Sequence, residues 1–124
     1  MRLALIEDND AYQYEIKKRL SKDFVIDSFE YHGEFLRALA QKRENYFCII
    51  CDRYTGSDAL DFGGDKSLPE IIREKCKDVL IVLISASYID ESDTSGFDFV
   101  AKKTKAGYRE LEEFLKRKQS SWLD

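Results

Sequence analysis

Short apolar runs alternate with amphipathic stretches along the whole chain. Four of the runs are, in chain order, Leu3–Ile6, Phe47–Cys51, Val79–Ile84 and Phe97–Ala101. The middle two are almost unbroken, which is typical of strands buried on both faces of a parallel sheet. A fifth run, Phe24–Phe29, includes polar residues and indicates an edge strand.

Between the runs, apolar residues recur every three or four positions, which is the period of a helix. The four stripes are Tyr12-Ile16-Leu20, Phe35-Leu36-Leu39-Ala40, Leu68-Ile71-Ile72-Cys76 and Tyr108-Leu111-Leu115. Asn9 and Asp10 are candidate caps of the first helix, and Ser67-Leu68-Pro69-Glu70 opens the third with a capping-box pattern. Because strands and helices alternate, the sequence predicts βαβ units and a doubly wound five-stranded α/β domain. We expect it to span residues 1–119, with 120–124 as a tail or the start of a linker.

Composition and charge limit the classes of function. A chain of 124 residues with 44% apolar residues can bury the core of one domain. The net charge is −4 and the signs are interspersed, so a basic nucleic-acid surface is not expected. No apolar run approaches the roughly 20 residues of a membrane span, and the N-terminus does not resemble a signal peptide. The prediction is a cytoplasmic protein that binds neither nucleic acid nor membrane.

The cysteines and the single histidine do not predict a metal site. Cys48 and Cys51 have the C-x-x-C spacing, but they lie in a predicted strand, where positions three apart face opposite ways. They are expected to be buried small hydrophobic residues. His32 has no cysteine or histidine partner at ligand spacing and is expected in a loop.

Polar residues follow four of the predicted strands. Glu7 and Asp8 follow the first strand, Asp52 the third, Ser85 ends the fourth, and Lys102 follows the fifth. Sites in sheets of this type form at the carboxyl ends of the strands. Each residue alone is common in a solvated loop, so the prediction of a site depends on all of them meeting at one edge.

Together these residue types are suited to phosphoryl chemistry. Converging carboxylates require a proton or a cation, and Mg²⁺ prefers oxygen ligands. A carboxylate beside that ion can attack phosphorus and form an acyl phosphate. A lysine and a hydroxyl can then stabilise the phosphoryl oxygens.

In these motifs the chain resembles response-regulator receiver domains over nearly its whole length. The family has an acidic pair after its first strand (Glu7-Asp8), a phosphoacceptor after its third (Asp52) and a hydroxyl followed by a small residue after its fourth (Ser85-Ala86). Its fifth strand carries an Asp-aromatic pair and then a lysine, matched by Asp98-Phe99-Val100-Ala101-Lys102. The resemblance implies a flavodoxin-like sheet of order 2-1-3-4-5.

The resemblance also implies roles for individual residues. Asp8, Asp52 and the backbone carbonyl of Tyr54 would bind Mg²⁺ directly, and Glu7 would act largely through water. In the phosphorylated state Lys102 would pair with the phosphoryl group. Ser85 would swing to hydrogen-bond that group, and Phe99 would turn inward as the switch.

The implied function is phosphorylation of Asp52 in a two-component phosphorelay. The donor would be a sensor histidine kinase, a phosphotransfer protein or a small acyl phosphate, and the signal would pass to a downstream protein or a fused output domain. Such a domain is not an enzyme acting on other molecules, because it catalyses only its own phosphorylation and dephosphorylation.

Two departures from the family pattern concern the region around the fourth and fifth strands. The family's lysine normally precedes a cis proline, where this chain has Lys103. Fewer residues than usual separate Ser85 from Lys102, and the segment between them is rich in Ser and Asp. We therefore expect the fourth helix to be short or missing, which would alter the output surface.

Two other functions stay open at this point. A pseudo-receiver would use the same fold as a phosphorylation-independent protein-binding module, and the two departures favour it, whereas the complete acid set does not. A Mg²⁺-dependent phosphotransferase or nuclease would normally need a second acid near Asp52 to hold a second metal, and Arg53-Tyr54 lacks one.

Overall fold

The computed structural model describes the backbone of residues 1–41, 45–52, 54–55, 58–59, 67–87 and 94–123. Its strands are Arg2–Ile6 (β1), Val25–Phe29 (β2), Cys48–Asp52 (β3), Tyr54–Thr55 (β4), Asp58–Ala59 (β5), Leu80–Ser85 (β6) and Phe99–Lys102 (β7). Its helices are Asp10–Leu20 (α1), His32–Gln41 (α2), Leu68–Lys75 (α3) and Lys105–Leu123 (α4).

The main sheet has five parallel strands in the order β2-β1-β3-β6-β7. When the short antiparallel pair β4 and β5 is set aside, this is the order 2-1-3-4-5, so the predicted topology is confirmed. Ile6 pairs with Cys51, Asp52 with Ile84, and Ser85 with Lys102. This register brings the carboxyl ends of four strands to one edge, where the predicted site residues lie.

The core consists of two layers, one on each face of the sheet. One layer includes Leu5 and Ile50 and is covered by α1 and α4, and the other includes Ile6 and Ile49 and is covered by α2 and α3. Cys48 belongs to the first layer and Cys51 to the second, as strand alternation predicts. Burial raises the pKa of both thiols, which are free, so they are protonated core residues.

Both predicted helix caps are present. The Asn9 side chain accepts a hydrogen bond from the Tyr12 amide at 3.0 Å, and Ser67 accepts one from the Glu70 amide at 3.4 Å. These bonds satisfy amides that the first helical turn leaves without partners. Toward the end of the chain, α4 continues to Leu123, so residues 120–123, which were predicted as a tail or the start of a linker, belong to that helix. None of the described helices combines the length and apolar character needed to cross a bilayer.

The connection from β6 to β7 contains no α-helix among its described residues, which are 86–87 and 94–98. Residues 88–93, on which much of the prediction of a short or missing fourth helix falls, lie outside the described residues. The part that follows them packs on α3. Gly96 has a φ of +87°, and a Cβ there would lie 2.9 Å from the Pro69 side chain, so glycine suits both the conformation and the close approach.

Candidate functional site

Three carboxylates converge at the carboxyl edge of the sheet. Glu7, Asp8 and Asp52 each offer a carboxylate oxygen, and these oxygens lie within 4.8 Å of one another. Glu7 is 0% exposed and Asp52 is 8% exposed, whereas Asp8 faces solvent. The cluster is therefore closed on the protein side and open at Asp8, which leaves room for water or a ligand.

Lys103 supplies the positive charge inside this cluster. Its Nζ forms a salt bridge with Glu7 Oε1 and lies 2.9 Å from Asp52 Oδ1, and its side chain is only 4% exposed. The same ammonium lies 4.4 Å from the centroid of the Tyr12 ring, a cation–π distance. One buried cation thus bridges two buried carboxylates that would otherwise repel each other.

The pKa values of the bridged groups reflect this environment. Burial raises the pKa of Glu7 from 4.5 to about 7, the hydrogen bond from Lys103 opposes that rise, and the nearby charge of Asp52 adds to it. Burial alone would lower the pKa of Lys103, but its bonds to Glu7 and Asp52 raise it above its usual value. Lys103 is therefore a stable cation at neutral pH, while Glu7 titrates close to neutrality.

The structure corrects the placement expected for Lys102. Lys102 ends β7 with an exposed side chain, and Lys103 is the residue that contacts the acids. Ala101 is buried in the layer covered by α1 and α4, and strand alternation directs Lys103 to that same side, where Tyr12 lies. The Lys103 amide still donates to the Ser85 carbonyl at 3.0 Å, and the Lys102–Lys103 peptide bond is trans.

Ser85 lies at the same edge, with its hydroxyl engaged locally. Its side chain is buried, and its Oγ accepts a hydrogen bond from the Ser87 amide at 3.2 Å and lies 3.3 Å from Ser87 Oγ. In the register of the sheet, Ser85 pairs with Lys102, the last residue of β7. It directly follows Ile84, which pairs with Asp52. It is near the acids but oriented toward its own turn.

The remaining predicted residues lie around this cluster. Phe99 is partly buried and stacks on Phe114 of α4, with ring centroids 4.5 Å apart, so it packs against the core. The backbone of Tyr54 forms β4 two residues after Asp52, and its side chain is outside the described set.

Besides Lys103, the sequence did not indicate a second residue that contacts the site. His32, expected in a loop, is instead the first residue of α2 and is 0% exposed. Its Nε2 lies 3.2 Å from the backbone carbonyl oxygen of Asp52. The sequence gives no signal for this contact beyond a histidine next to Gly33, because it depends on how α2 docks against β3.

Comparison with solved structures connects this geometry to known proteins. The response regulator TrrA of Thermotoga maritima, solved in complex with Mg²⁺ and BeF, matches with a TM-score of 0.77 and 24% identity over 94% of this chain and 97% of that one. An orphan response regulator of H. pylori matches with a TM-score of 0.72 and 22% identity, covering 95% of both chains. The chain has the fold of a response-regulator receiver domain.

A third solved structure, also a receiver domain, shares the fold over nearly the whole chain. It belongs to a sensor histidine kinase of Pseudomonas aeruginosa, holds a magnesium ion in its active-site cleft, and matches with a TM-score of 0.75 and 20% identity over 94% of both chains. Neither the protein-family models nor the curated proteins give any match to this sequence. The likeness to receiver domains is therefore a likeness of structure over nearly the whole chain.

Proposed function

We propose that this chain is a phosphoaccepting receiver domain of two-component signalling and that Asp52 carries the phosphoryl group. The observation that carries the proposal is the meeting of Glu7, Asp8, Asp52 and Lys103 at the carboxyl edge of a receiver-fold sheet. The donor is a phosphohistidine on a sensor histidine kinase or phosphotransfer protein, or a small acyl phosphate. TrrA, which shares the fold, has been solved in complex with the histidine kinase ThkA.

The chemical step is a transfer of one phosphoryl group. A carboxylate oxygen of Asp52 attacks the phosphorus and a new P–O bond forms. With an acyl phosphate as donor, the bond between phosphorus and the bridging oxygen breaks and a carboxylate leaves with its electron pair. With a phosphohistidine, the P–N bond to the donor imidazole breaks. The electron pair of that bond stays on the imidazole nitrogen. Lys103 is close enough to Asp52 to balance the negative charge of the phosphoryl oxygens, which is the role that the resemblance implies for Lys102. Ser85 can donate a hydrogen bond to them if its hydroxyl turns from Ser87. Water attack on the phosphorus later releases phosphate and restores Asp52.

The donor atoms around Asp52 fit a magnesium ion. All three side chains offer hard oxygen ligands, and the exposure of Asp8 leaves space for the waters that Mg²⁺ retains. Asp8 and Asp52 would hold the ion directly with the Tyr54 carbonyl, and Glu7 would act through water. When bound, the ion neutralises charge on the phosphoryl oxygens.

The two other functions are less well supported by this arrangement. A pseudo-receiver does not need the complete set of acids together with a buried lysine, and this chain has both. A two-metal phosphotransferase or nuclease needs a further acid, and none of the described His, Cys, Asp or Glu residues adds to the cluster of three. We further propose a cytoplasmic location, a downstream protein or fused output domain as the target, and no direct contact with nucleic acid.

Substitution of the acceptor tests the proposal most directly. We expect Asp52→Asn to fold but to form no acyl phosphate when incubated with acetyl phosphate and Mg²⁺, because the amide is not a nucleophile toward phosphorus. Intact mass spectrometry would measure the added phosphoryl group. Asp78→Asn, an exposed change just before β6 and thus at the opposite edge of the sheet, is the control and should be labelled like the wild type. Labelling that persists in Asp52→Asn would show that another residue is the acceptor.

A further inference from the structure

The single histidine of the chain lies against the backbone of the proposed phosphoacceptor. His32 Nε2 is 3.2 Å from the Asp52 carbonyl oxygen, and the contact is buried. A carbonyl oxygen can only accept, so the hydrogen bond requires a proton on Nε2. The contact is therefore a hydrogen bond in the tautomer that is protonated at Nε2.

Helix α2 gives His32 a fixed position. Phe35, one turn further along α2, is fully buried, and its ring lies 5.4 Å from that of Phe29 and 6.2 Å from that of Tyr46, measured between centroids. These contacts attach the first turn of α2 to β2 and to the segment before β3. An imidazole on such an element can hold a backbone group in one orientation.

We propose that His32 is a positioning residue that orients Asp52 for phosphorylation, an inference that rests on the proposed function. Asp52 is held at two points by two different elements. Its carbonyl oxygen is held by α2 through His32, and its carboxylate is held by Lys103 after β7. The carboxylate is thereby kept directed toward Glu7 and Asp8.

The same hydrogen bond is made by the last residue of β3. The Asp52 carbonyl belongs to the peptide bond with Arg53, and the Tyr54 carbonyl, a proposed metal ligand, comes two residues after Asp52. A bond that fixes this peptide unit affects both the nucleophile and the backbone that leads to the Tyr54 carbonyl. Loss of His32 should therefore weaken Mg²⁺ binding and slow phosphorylation together.

Two substitutions separate positioning from simple stabilisation. His32→Gln keeps an N–H donor at a similar reach, and His32→Leu removes it at similar bulk. With the full chain, acetyl phosphate and Mg²⁺, we expect His32→Leu to be phosphorylated about tenfold more slowly per folded molecule, as for the loss of one hydrogen bond. His32→Gln should stay within about threefold of wild type, since it retains the donor. Mg²⁺ affinity, measured by calorimetry, should follow the same order.

Leu39→Ala is the matched control, because Leu39 is a buried residue of α2 that belongs to the apolar layer. It should lower the melting temperature but leave the phosphorylation rate of the folded protein close to that of wild type. A rate for His32→Leu equal to that of wild type would overturn the inference and leave the proposed function standing. A wild-type chain that is never phosphorylated would instead overturn the proposed function.

A spectroscopic readout covers the case in which His32→Leu does not fold. The wild-type chain has one histidine, so its imidazole nitrogen signals are assigned without ambiguity. We expect the Nε2–H tautomer, and we expect the Nε2 signal to shift when beryllofluoride and Mg²⁺ are added. A proton on Nδ1 instead, or a signal that does not move while Asp52 is occupied, would contradict the positioning role.

Discussion

The buried ammonium of Lys103 determines the charge balance of the site at the scale of single residues. Two buried carboxylates and one buried cation leave one net negative charge when Glu7 is ionised, and Asp8 adds another from the solvent side. The cluster therefore stays negative when no metal is bound. This remaining charge favours the binding of a divalent cation. Lys103 therefore keeps the acids together but leaves them able to bind a metal.

The two adjacent lysines allow a direct test of this role. We expect Lys103→Met to slow phosphorylation of Asp52 by acetyl phosphate by about a hundredfold, since it removes a preorganised charge that faces the phosphoryl oxygens. Lys102→Met is the matched control, because it makes the same change one residue earlier on an exposed side chain, and its rate should stay near that of wild type. Slow phosphorylation of Lys102→Met, together with a wild-type rate for Lys103→Met, would show that Lys102 is the lysine that supports phosphorylation.

Glu7 should make the stability of the fold depend on pH. Its pKa rises from 4.5 to about 7 on folding, so the folded state binds a proton that the unfolded state releases between these values. The stabilising contribution is thus complete below pH 4.5 and is lost as the pH rises toward 7. Without Mg²⁺, Glu7→Gln should gain stability relative to wild type across this window, by on the order of 2 kcal/mol.

Urea unfolding at a series of pH values would measure this difference. Glu30→Gln, which changes an exposed carboxylate just before α2, controls for the altered net charge. Parallel stability profiles for wild type and Glu7→Gln would show that Glu7 does not bind a proton on folding.

At the scale of elements, the sequence predicted correctly that each main strand and helix exists. It predicted less accurately the residues at which they begin and end. The last strand was expected at Phe97–Ala101 and lies at Phe99–Lys102. The family motif indicates Lys102, but Lys103 shares a side of the strand with buried Ala101 and therefore points toward α1 and the acids, whereas Lys102 points away. Burial of His32 could not be predicted either, since it arises from the docking of α2 rather than from local pattern.

A polar cluster holds the connection before β7 against α3. Arg73 on α3 donates to Asp98 Oδ2 at 2.9 Å and to the Gly96 carbonyl at 3.1 Å. Asp98 Oδ2 also accepts from the buried Ile81 amide at 2.8 Å, and the Asp98 amide donates back to the Ile81 carbonyl. This cluster fixes the start of β7 and, through it, the position of Lys103.

We expect Asp98→Ala to destabilise the fold by about 1–3 kcal/mol, because it leaves the buried Ile81 amide without its acceptor. Asp98→Asn should lose less stability, since its amide oxygen can still accept the hydrogen bond from the Ile81 amide. Lys75→Ala, an exposed change near the end of α3, is the control for surface substitutions. Thermal unfolding would measure all three, and equal stability of Asp98→Ala and wild type would contradict the importance of the cluster.

At the scale of the whole molecule, the parallel register of the sheet assembles the site. Residues 7, 52 and 103 are far apart in sequence, and they meet because β1, β3, β6 and β7 end at one edge. This convergence follows from the order of strands, which the alternating pattern predicted. A ligand bound at that edge therefore contacts the ends of several strands at once and should stabilise the entire domain.

Mg²⁺ should consequently raise the unfolding free energy of the domain. Because the carboxylates are brought together only on folding, the ion binds the folded state and not the unfolded chain, and at a concentration about twentyfold above Kd it should add about 2 kcal/mol. The melting temperature at constant ionic strength would measure this as an increase of several degrees. Asp8→Ala should lose most of the increase, whereas Asp10→Ala, an exposed acid at the start of α1, should retain it. An equal Mg²⁺ effect in both variants would mean that the ion stabilises the protein elsewhere than at the carboxyl edge.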